Sequence, residues 1–238
     1  MEQAEYALMD AAEGGMWWYR ALHARLLDSV QGINGRILDA GCGTGGFLAC
    51  LRLQHPRLGA FGVERFPAAA QRARAKSAAR VVVGDLNKLP YGDSCFDAAV
   101  MADVLCHAAV DPPAALAEIR RVLRPGGRIV MNMPAYAWLF SAHDRRVHNV
   151  RRQTAGEVRG MLWCAGFEQV QARYWNSLLL PAMILTRKFR LRRDSGSNTG
   201  PFPPWLNAVL YQITETERRL ALALPAGGSV LAQAIRPG

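Results

Sequence analysis

Short apolar runs alternate with segments of helical pattern along the first part of the chain. The apolar runs are bounded by turn-forming residues, and they predict buried strands over 36–41, 58–64, 80–85, 96–103 and 127–135. Helices are predicted between them over 45–54, 67–79 and 112–123. Strands that alternate with helices form a parallel sheet covered on both faces, and such a sheet binds ligands beyond the carboxyl ends of its strands.

The pattern changes in the second part of the chain. Two further strands are predicted over 167–175 and 229–236, and the segment between them is too long for a hairpin loop. We therefore predict an α/β fold of the Rossmann-like, doubly wound type, with a mostly parallel seven-stranded sheet and helical lid or cap insertions. The predicted division is an N-terminal helical lid over 1–35 and one α/β domain over 36–238, with cap insertions at about 136–165 and 177–228.

The second cap insertion contains an apolar run that leads into a basic run, "LLLPAMILTRKFRLRR" at 178–193. A polar loop over 194–204 and a helix from Trp205 to Leu224 are predicted after it. Apolar residues followed by cations are compatible with peripheral contact at a membrane surface. Because the apolar residues are sequential and do not share one helix face, a buried cap helix is favoured.

Composition places the chain among ordinary globular proteins, since 50% of its residues are hydrophobic and 20% are charged. No apolar run approaches the ~20 residues of a membrane-spanning helix, and the first fifteen residues lack the basic start of a secretory signal. The 5 cysteines include no C-x-x-C pair, so neither a disulfide framework nor a metal site is expected. A cytoplasmic location is predicted.

The stretch "RILDAGCGTGG", from Arg36 to Gly46, places glycines directly behind the first predicted strand. Its "GCGTGG" matches the dinucleotide fingerprint G-x-G-x-x-G. Acidic residues also end the first three strands, namely Asp39, Glu64 and Asp85. Because a helix N-terminus that binds a pyrophosphate disfavours an adjacent acid, these carboxylates argue against a dinucleotide and for a cationic adenosine derivative.

The motifs "ILDAGCGTG", "FGVE", "VVVGDLNKLP" and "LRPGG" resemble those of the class I S-adenosylmethionine-dependent methyltransferases, over roughly residues 36–135. The resemblance implies that Asp39 orients the amino group of the cofactor, Glu64 holds its ribose and Asp85 its adenine amino group. The set of cofactor residues that it implies is Asp39, Gly41, Cys42, Gly43, Gly45, Glu64, Arg65, Asp85, Leu86, Met101 and Ala102. The last glycine of the apparent fingerprint, Gly46, is then expected to be incidental.

Methyl transfer from a sulfonium needs a base only when the acceptor must lose a proton. His107 follows the fourth strand in "DVLCH", where similar methyltransferases carry a histidine, and it is one candidate base. His143 in "SAHDRRVHNVRR" is the other, preferred over Asp144 and His148 in the same segment. Framing of the pocket and helix capping are the alternatives for these histidines. His23 and His55 are expected to be surface or helix residues.

Candidate acceptor residues come from aromatic and basic clusters. "MWWYR" at 16–20 resembles a "WW(F/Y)R" segment of a bacterial subgroup, and core packing is the alternative for its aromatic residues. The basic runs 145–152 and 187–193 suit either a solvated surface or an anionic group on the acceptor. The predicted acceptor set is Trp17, Trp18, Tyr19, Tyr136, Arg151 and Arg152.

The formal net charge of +10 favours anionic partners in general. The chain carries no recognised RNA-binding module, so nucleic acid is disfavoured as a partner. The predicted activity is S-adenosylmethionine-dependent methylation of a small-molecule or lipid-like acceptor that has an apolar body and an anionic handle. The alternatives are an RNA-modifying methyltransferase and a non-catalytic protein that binds the cofactor. Oligomeric state and the methylated atom stay open.

Overall fold

A computed structural model describes residues 3–190 and 202–238. Its sheet has seven strands in the order β3-β2-β1-β4-β5-β7-β6, which confirms the predicted fold class. The strands are β1 (Arg36–Ala40), β2 (Gly59–Glu64), β3 (Arg80–Val83), β4 (Phe96–Ala102), β5 (Leu123–Pro134), β6 (Glu168–Trp175) and β7 (Ser229–Ile235). The first five pair in parallel, and β7 is antiparallel to both β5 and β6.

The helices connect these strands and cover both faces of the sheet. They are α1 (Gln3–Ala12), α2 (Trp17–Ser29), α3 (Gly46–Gln54), α4 (Pro67–Ser77), α5 (Pro112–Val122), α6 (Ala142–Arg146), α7 (Ala155–Cys164), α8 (Leu180–Arg190) and α9 (Pro204–Arg219), with a 3₁₀ turn at Ala137–Leu139. Proline starts α4 and α5, where its missing N–H would have no helical partner.

The sheet separates two apolar clusters, because successive side chains of a strand point to opposite faces. Ile37 and Leu38 of β1 illustrate this: both are fully buried, and each belongs to a different cluster. Burial on both faces explains why the central strands read as continuous apolar runs in the sequence.

Strand β5 begins earlier than the sequence suggested. The prediction started it at residue 127, whereas Leu123 already pairs with Phe96 of β4. Leu123 is fully buried, so the chain passes directly from α5 into the sheet. The "RPGG" that followed the predicted helix therefore lies within an irregular first part of β5.

Helix α8 is more exposed than predicted. Leu185 is 55% exposed and Pro181 and Ala182 are also at the surface, so the expectation of a buried cap helix is wrong. Met183 and Ile184 are half-buried on its other side. The basic side chains of 187–193 and most of the predicted polar loop lie outside the described residues. In the described part of the chain, no helix has both the length and the apolarity of a transmembrane segment.

Candidate functional site

The glycine-rich loop follows β1 at the carboxyl edge of the sheet. The N–H groups of Gly41 and Cys42 donate to the carbonyl of Val63 at 2.9 and 3.0 Å, which ties the loop to β2. Gly41 and Gly43 have φ angles of 86° and 53°, a backbone region that favours glycine. A Cβ on Gly41 would lie 2.7 Å from Val104, so close packing also requires glycine there.

The last two glycines of the loop lie against neighbouring helices and side chains, and the motif alone does not reveal these contacts. A Cβ on Gly45 would lie 2.7 Å from the Cα of Ala73, so Gly45 allows α3 and α4 to pack closely. Gly46, which was expected to be incidental to the cofactor motif, lies against Glu13. Its N–H donates to Glu13 at 3.2 Å, and a Cβ there would collide with the same carboxylate.

Glu13 is a site residue that the sequence reasoning missed. It is 6% exposed, accepts a hydrogen bond from the Thr44 hydroxyl at 2.8 Å and forms an ion pair with Lys76. Its carboxylate caps the positive N-terminal end of α3 together with the Gly46 bond. No local pattern could have identified it, because its partners lie more than thirty residues further along the chain.

The three predicted strand-end acids line one cavity. Asp39 is 2% and Glu64 5% exposed, whereas Asp85 is at the surface. Burial, followed by the charges of Glu13 and Glu64, raises the pKa of Asp39 to about 8. Buried carboxylates that repel each other are unfavourable on their own, so this end of the cavity suits a ligand that carries positive charge.

Both carboxylate oxygens of Glu64 accept hydrogen bonds within the protein. One oxygen accepts from the N–H of Gly43 at 3.0 Å, and the other accepts from the N–H of Phe66 at 3.0 Å and from the Tyr6 hydroxyl at 3.1 Å. The Tyr6 ring packs on Phe66 with centroids 5.3 Å apart. Helix α1 therefore lies directly over the predicted ribose position, and Tyr6 is a second residue that the sequence reasoning missed.

The end of β4 supplies a third missed residue, Asp103. It lines the cavity beside Ala102, whereas the predicted contact residue Met101 is 1% exposed and packs in the core. Asn132 donates to Asp103 at 2.8 Å, and the indole N–H of Trp175 donates to Asn132 at 2.7 Å. Asp103 has a positive φ of 53°, so this chain of bonds holds an unusual backbone conformation.

Burial raises the pKa of Asp103 to about 6, although the hydrogen bond from Asn132 opposes the shift. A carboxyl group with this pKa changes charge near neutral pH. Its place at the end of β4 makes it a third candidate for handling a proton, beside the two predicted histidines.

Both predicted histidines line the cavity, as does His23. Burial lowers the pKa of His107 and of His143, which favours neutral imidazoles that can accept a proton. The Nδ1 atom of His107 is buried and has no hydrogen-bond partner in residues 3–190 and 202–238. His23 lies in helix α2, which is one of its two predicted placements, and it is 7% exposed; burial lowers its pKa to about 4.

The aromatic residues of "MWWYR" divide between the cavity and the interior. Trp18 and Tyr19 line the cavity, and Trp18 stacks on Trp175 at 6.4 Å. Trp17 is 8% exposed, and its backbone N–H donates to Asn207 of α9 at 2.7 Å. The structure therefore places Trp17 at the interface of α2 and α9.

Tyr136 lies in an aromatic stack between Trp138 and Tyr174, with ring centroids 5.4 and 5.3 Å away. Its neighbour Trp138 lines the cavity together with Phe140, and both are exposed at its mouth. Tyr136 itself is therefore not among the residues that line the cavity. The aromatic rings of this segment that line it are Trp138 and Phe140.

The two predicted acceptor arginines are bonded within the protein. Arg151 donates to the carbonyls of Leu105, His107 and Val110 at 3.3, 2.8 and 3.1 Å. Arg152 forms two hydrogen bonds of 3.0 Å with Asp144 and is 5% exposed in its side chain. These bonds hold the segment after β4 to the segment after β5, and the arginines of this basic segment that line the cavity are Arg145 and Arg146.

The cavity has a volume of about 1300 Å³ and extends from the carboxylate cluster to the helical segments. Cys42, Arg65 and Leu86 of the predicted cofactor set also line it. Aromatic and aliphatic side chains of α2, the 3₁₀ turn and α8 complete its lining. Within residues 3–190 and 202–238, no group of three or more His, Cys, Asp or Glu side chains is arranged to hold a metal ion.

Comparisons with known proteins agree with this geometry. Residues 38–131 match the family model described as a methyltransferase domain. The chain is 29% identical to a malonyl-[acyl-carrier protein] O-methyltransferase of Herminiimonas arsenicoxydans over 82% of its own length and 75% of the relative's. It is 39% identical to a demethylmenaquinone methyltransferase of Deinococcus radiodurans over 48% of each chain.

A solved S-adenosylmethionine-dependent methyltransferase from Thermotoga maritima superposes with a TM-score of 0.64 at 20% identity. The superposition covers 98% of this chain and 95% of the other. Across its first curated relatives the chain spans between 37% and 75% of their length. Residues 38–131 therefore form a methyltransferase domain, and the chain is similar to S-adenosylmethionine-dependent methyltransferases.

Proposed function

We propose that this chain transfers a methyl group from S-adenosylmethionine to a small-molecule or lipid-like acceptor with an apolar body and an anionic group. The observation that carries the proposal is one continuous cavity that is lined both by buried carboxylates and by aromatic side chains. The cofactor brings a positively charged sulfonium whose methyl group is already activated for transfer.

At the cofactor end, Asp39 would bind the amino group and Glu64 the ribose hydroxyls, with Asp85 and Leu86 at the adenine. The raised pKa of Asp39 supports its role, because a cation beside it would favour the ionised carboxylate. Glu64 would exchange the hydrogen bond from Tyr6 for those of the ribose. Glycine at 41 and 43 allows close approach of the backbone.

At the acceptor end, Trp18, Tyr19 and Trp138 supply apolar surface that excludes water around the reacting groups. His107 would remove a proton where the acceptor has one to lose, since burial keeps its imidazole neutral. His143 is the alternative base. Asp103 is held by Asn132 between the two ends of the cavity.

The segments 1–35, 136–165 and 177–228 would form the lid over this cavity. Residues of α1, α2, α6 and α8 line it, which supports the assignment. Helix α1 is attached through Tyr6 and Glu13, both bonded to groups of the cofactor end. A cytoplasmic location stays a prediction.

The cofactor assignment is tested by replacing Glu64 with Gln and measuring S-adenosylmethionine affinity by calorimetry. A loss of about tenfold or more is expected, because hydrogen bonds to a charged group contribute about 1.5–3 kcal/mol. Glu168→Gln is the matched control, since this exposed acid lies at the start of β6, outside the cavity lining. Equal affinity of both variants would refute the assignment.

The acceptor is identified by incubating the chain with methyl-labelled S-adenosylmethionine and a metabolite extract, followed by mass spectrometry of labelled products. Label in an amphiphilic anion supports the proposed acceptor class. Label in RNA would support the RNA-modifying alternative, and cofactor binding without any labelled product would support a non-catalytic role.

A further inference from the structure

Helix α6 brings two cationic side chains to the cavity, Arg145 and Arg146. Arg146, at the end of this helix, lines the cavity and is half-buried. Its Nε atom is buried and has no hydrogen-bond partner in the part of the chain that the structure describes. A guanidinium has five N–H donors in a planar fork, so a buried donor of this kind is costly to leave without an acceptor.

The other arginines of the same basic segment differ from Arg146. Arg151 donates through Nη1 to backbone carbonyls, and Arg152 is paired with Asp144. Arg145 is exposed to solvent. Arg146 is therefore the residue of this segment that combines partial burial, a position on the cavity and an unused buried donor.

The acidic groups around Arg146 do not neutralise it. Asp144 is fully buried and its oxygens accept from Arg152, Ser141 and Asn149. Glu5 of α1 also lines the cavity, but no ion pair between it and Arg146 exists among the described residues. The carboxylates that surround Asp39 lie at the cofactor end. The cavity is thus lined by buried carboxylates around Asp39 and by the cationic side chain of Arg146 on α6.

Arg146 is also held on a rigid support. Helix α6 begins with a capping box in which Ser141 and Asp144 bond each other, and Asp144 is bound in turn by Arg152. Because Arg152 also donates to the carbonyl of Ala135 at 3.0 Å, the helix is fixed to the end of β5. This support places the guanidinium at a defined distance from the cofactor end, as a specificity determinant requires.

We propose that Arg146 binds an oxyanion of the acceptor, a carboxylate or a phosphate ester, and thereby selects anionic acceptors. This inference rests on the proposed function and assigns the residue that recognises the anionic group. The planar guanidinium matches both oxyanions through paired N–H···O bonds, and the cavity excludes the water that would weaken them.

The test uses three probes with the same apolar chain: dodecanoate, dodecyl phosphate and 1-dodecanol. Each is titrated by calorimetry, below its aggregation concentration, into the full chain saturated with S-adenosylhomocysteine. The native chain is expected to bind at least one anionic probe about tenfold to a hundredfold more tightly than the alcohol. The preferred anion distinguishes a carboxylate from a phosphate ester.

Arg146→Gln is expected to remove that preference, and Arg146→Lys is expected to retain part of it. Arg159→Gln is the matched control, because it removes the same charge from an exposed position on α7. The proposal is overturned when the native chain shows no anion preference, or when Arg146→Gln keeps the native preference.

The affinity for S-adenosylhomocysteine is measured first for each variant, because it distinguishes a failure of the proposed function from a failure of the proposed role of Arg146. Loss of cofactor binding in the native chain would contradict the proposed function. Unchanged cofactor binding with no anion preference would contradict the role of Arg146 alone. Should Arg146→Gln fail to fold, Arg146→Lys is the deciding variant, because it retains the charge and loses only the paired geometry. A weaker anion preference than the native one then supports the proposal, and an unchanged preference overturns it.

Discussion

Asp39 shows how one buried residue can couple ligand binding to pH. Its pKa is raised to about 8 by burial and by Glu13 and Glu64, so most of it is protonated at pH 7. In the unfolded chain it ionises at its ordinary value near 4. The ligand-free protein therefore loses stability through this group as pH rises from about 4 to 8, because the unfolded state binds fewer protons there.

The proposed contact of Asp39 with the cofactor's ammonium group requires the ionised carboxylate, so the affinity for the cofactor is expected to rise with pH. We expect the association constant for S-adenosylhomocysteine to rise about tenfold per pH unit between pH 6 and 7, with release of about one proton. Calorimetry in buffers of different ionisation enthalpy measures both quantities. Asp39→Asn should bind more weakly and without this slope; a native slope in that variant would exclude Asp39 as the titrating group.

At the scale of elements, α6 and α7 both begin with a capping box, but the two capping boxes lie in different surroundings. Ser141 and Asp144 form a capping box at α6, and Thr154 and Glu157 form one at α7. Asp144 is fully buried and paired with Arg152, whereas Glu157 is exposed. Burial alone would raise the pKa of Asp144, but Arg152 and Ser141 outweigh it and lower the pKa.

This contrast predicts that removing the side chain of Asp144 destabilises the protein more than removing that of Glu157. Asp144→Ala is expected to reduce the free energy of unfolding by about 3–5 kcal/mol, because Arg152 is left buried without its partner. Glu157→Ala should cost about 1 kcal/mol or less, as the loss of an exposed cap does. Urea unfolding of both variants measures the difference. Similar losses would mean that the ion pair contributes no more than an ordinary cap.

At the scale of the whole molecule, the cavity lies between the sheet edge and helices from both ends of the chain. A ligand there contacts α1, the glycine loop and β4 at once, so its binding free energy stabilises the entire fold. S-adenosylhomocysteine at about 100 times its Kd should raise Tm by about 5–10 °C for a chain of this size. Thermal unfolding measures this shift.

The control for that measurement is Glu64→Gln at the same ligand concentration. Its shift should be smaller in proportion to its weaker affinity, whereas Glu168→Gln should match the native chain. An equal shift in all three proteins would show that the stabilising ligand binds elsewhere.

The order of strands and helices could be predicted because each element carries its own pattern. Apolar runs bounded by turn residues mark the buried strands, and proline marks the start of α4 and α5. The prediction that failed is the burial of α8, whose apolar residues are divided between the cavity and solvent. Nothing local in its sequence specifies which neighbours cover it.

The sequence by itself determined the α/β fold, the similarity to methyltransferases and the sheet edge where the predicted cofactor residues lie. Parallel strands bring their carboxyl ends together, so Asp39, Glu64 and Asp85 had to meet once the strands were recognised. Only the tertiary structure decided the rest of the site. The surroundings of Glu13, Asp103 and Arg146 come from segments far apart in the chain, and the burial of their polar atoms exists only in the packed molecule.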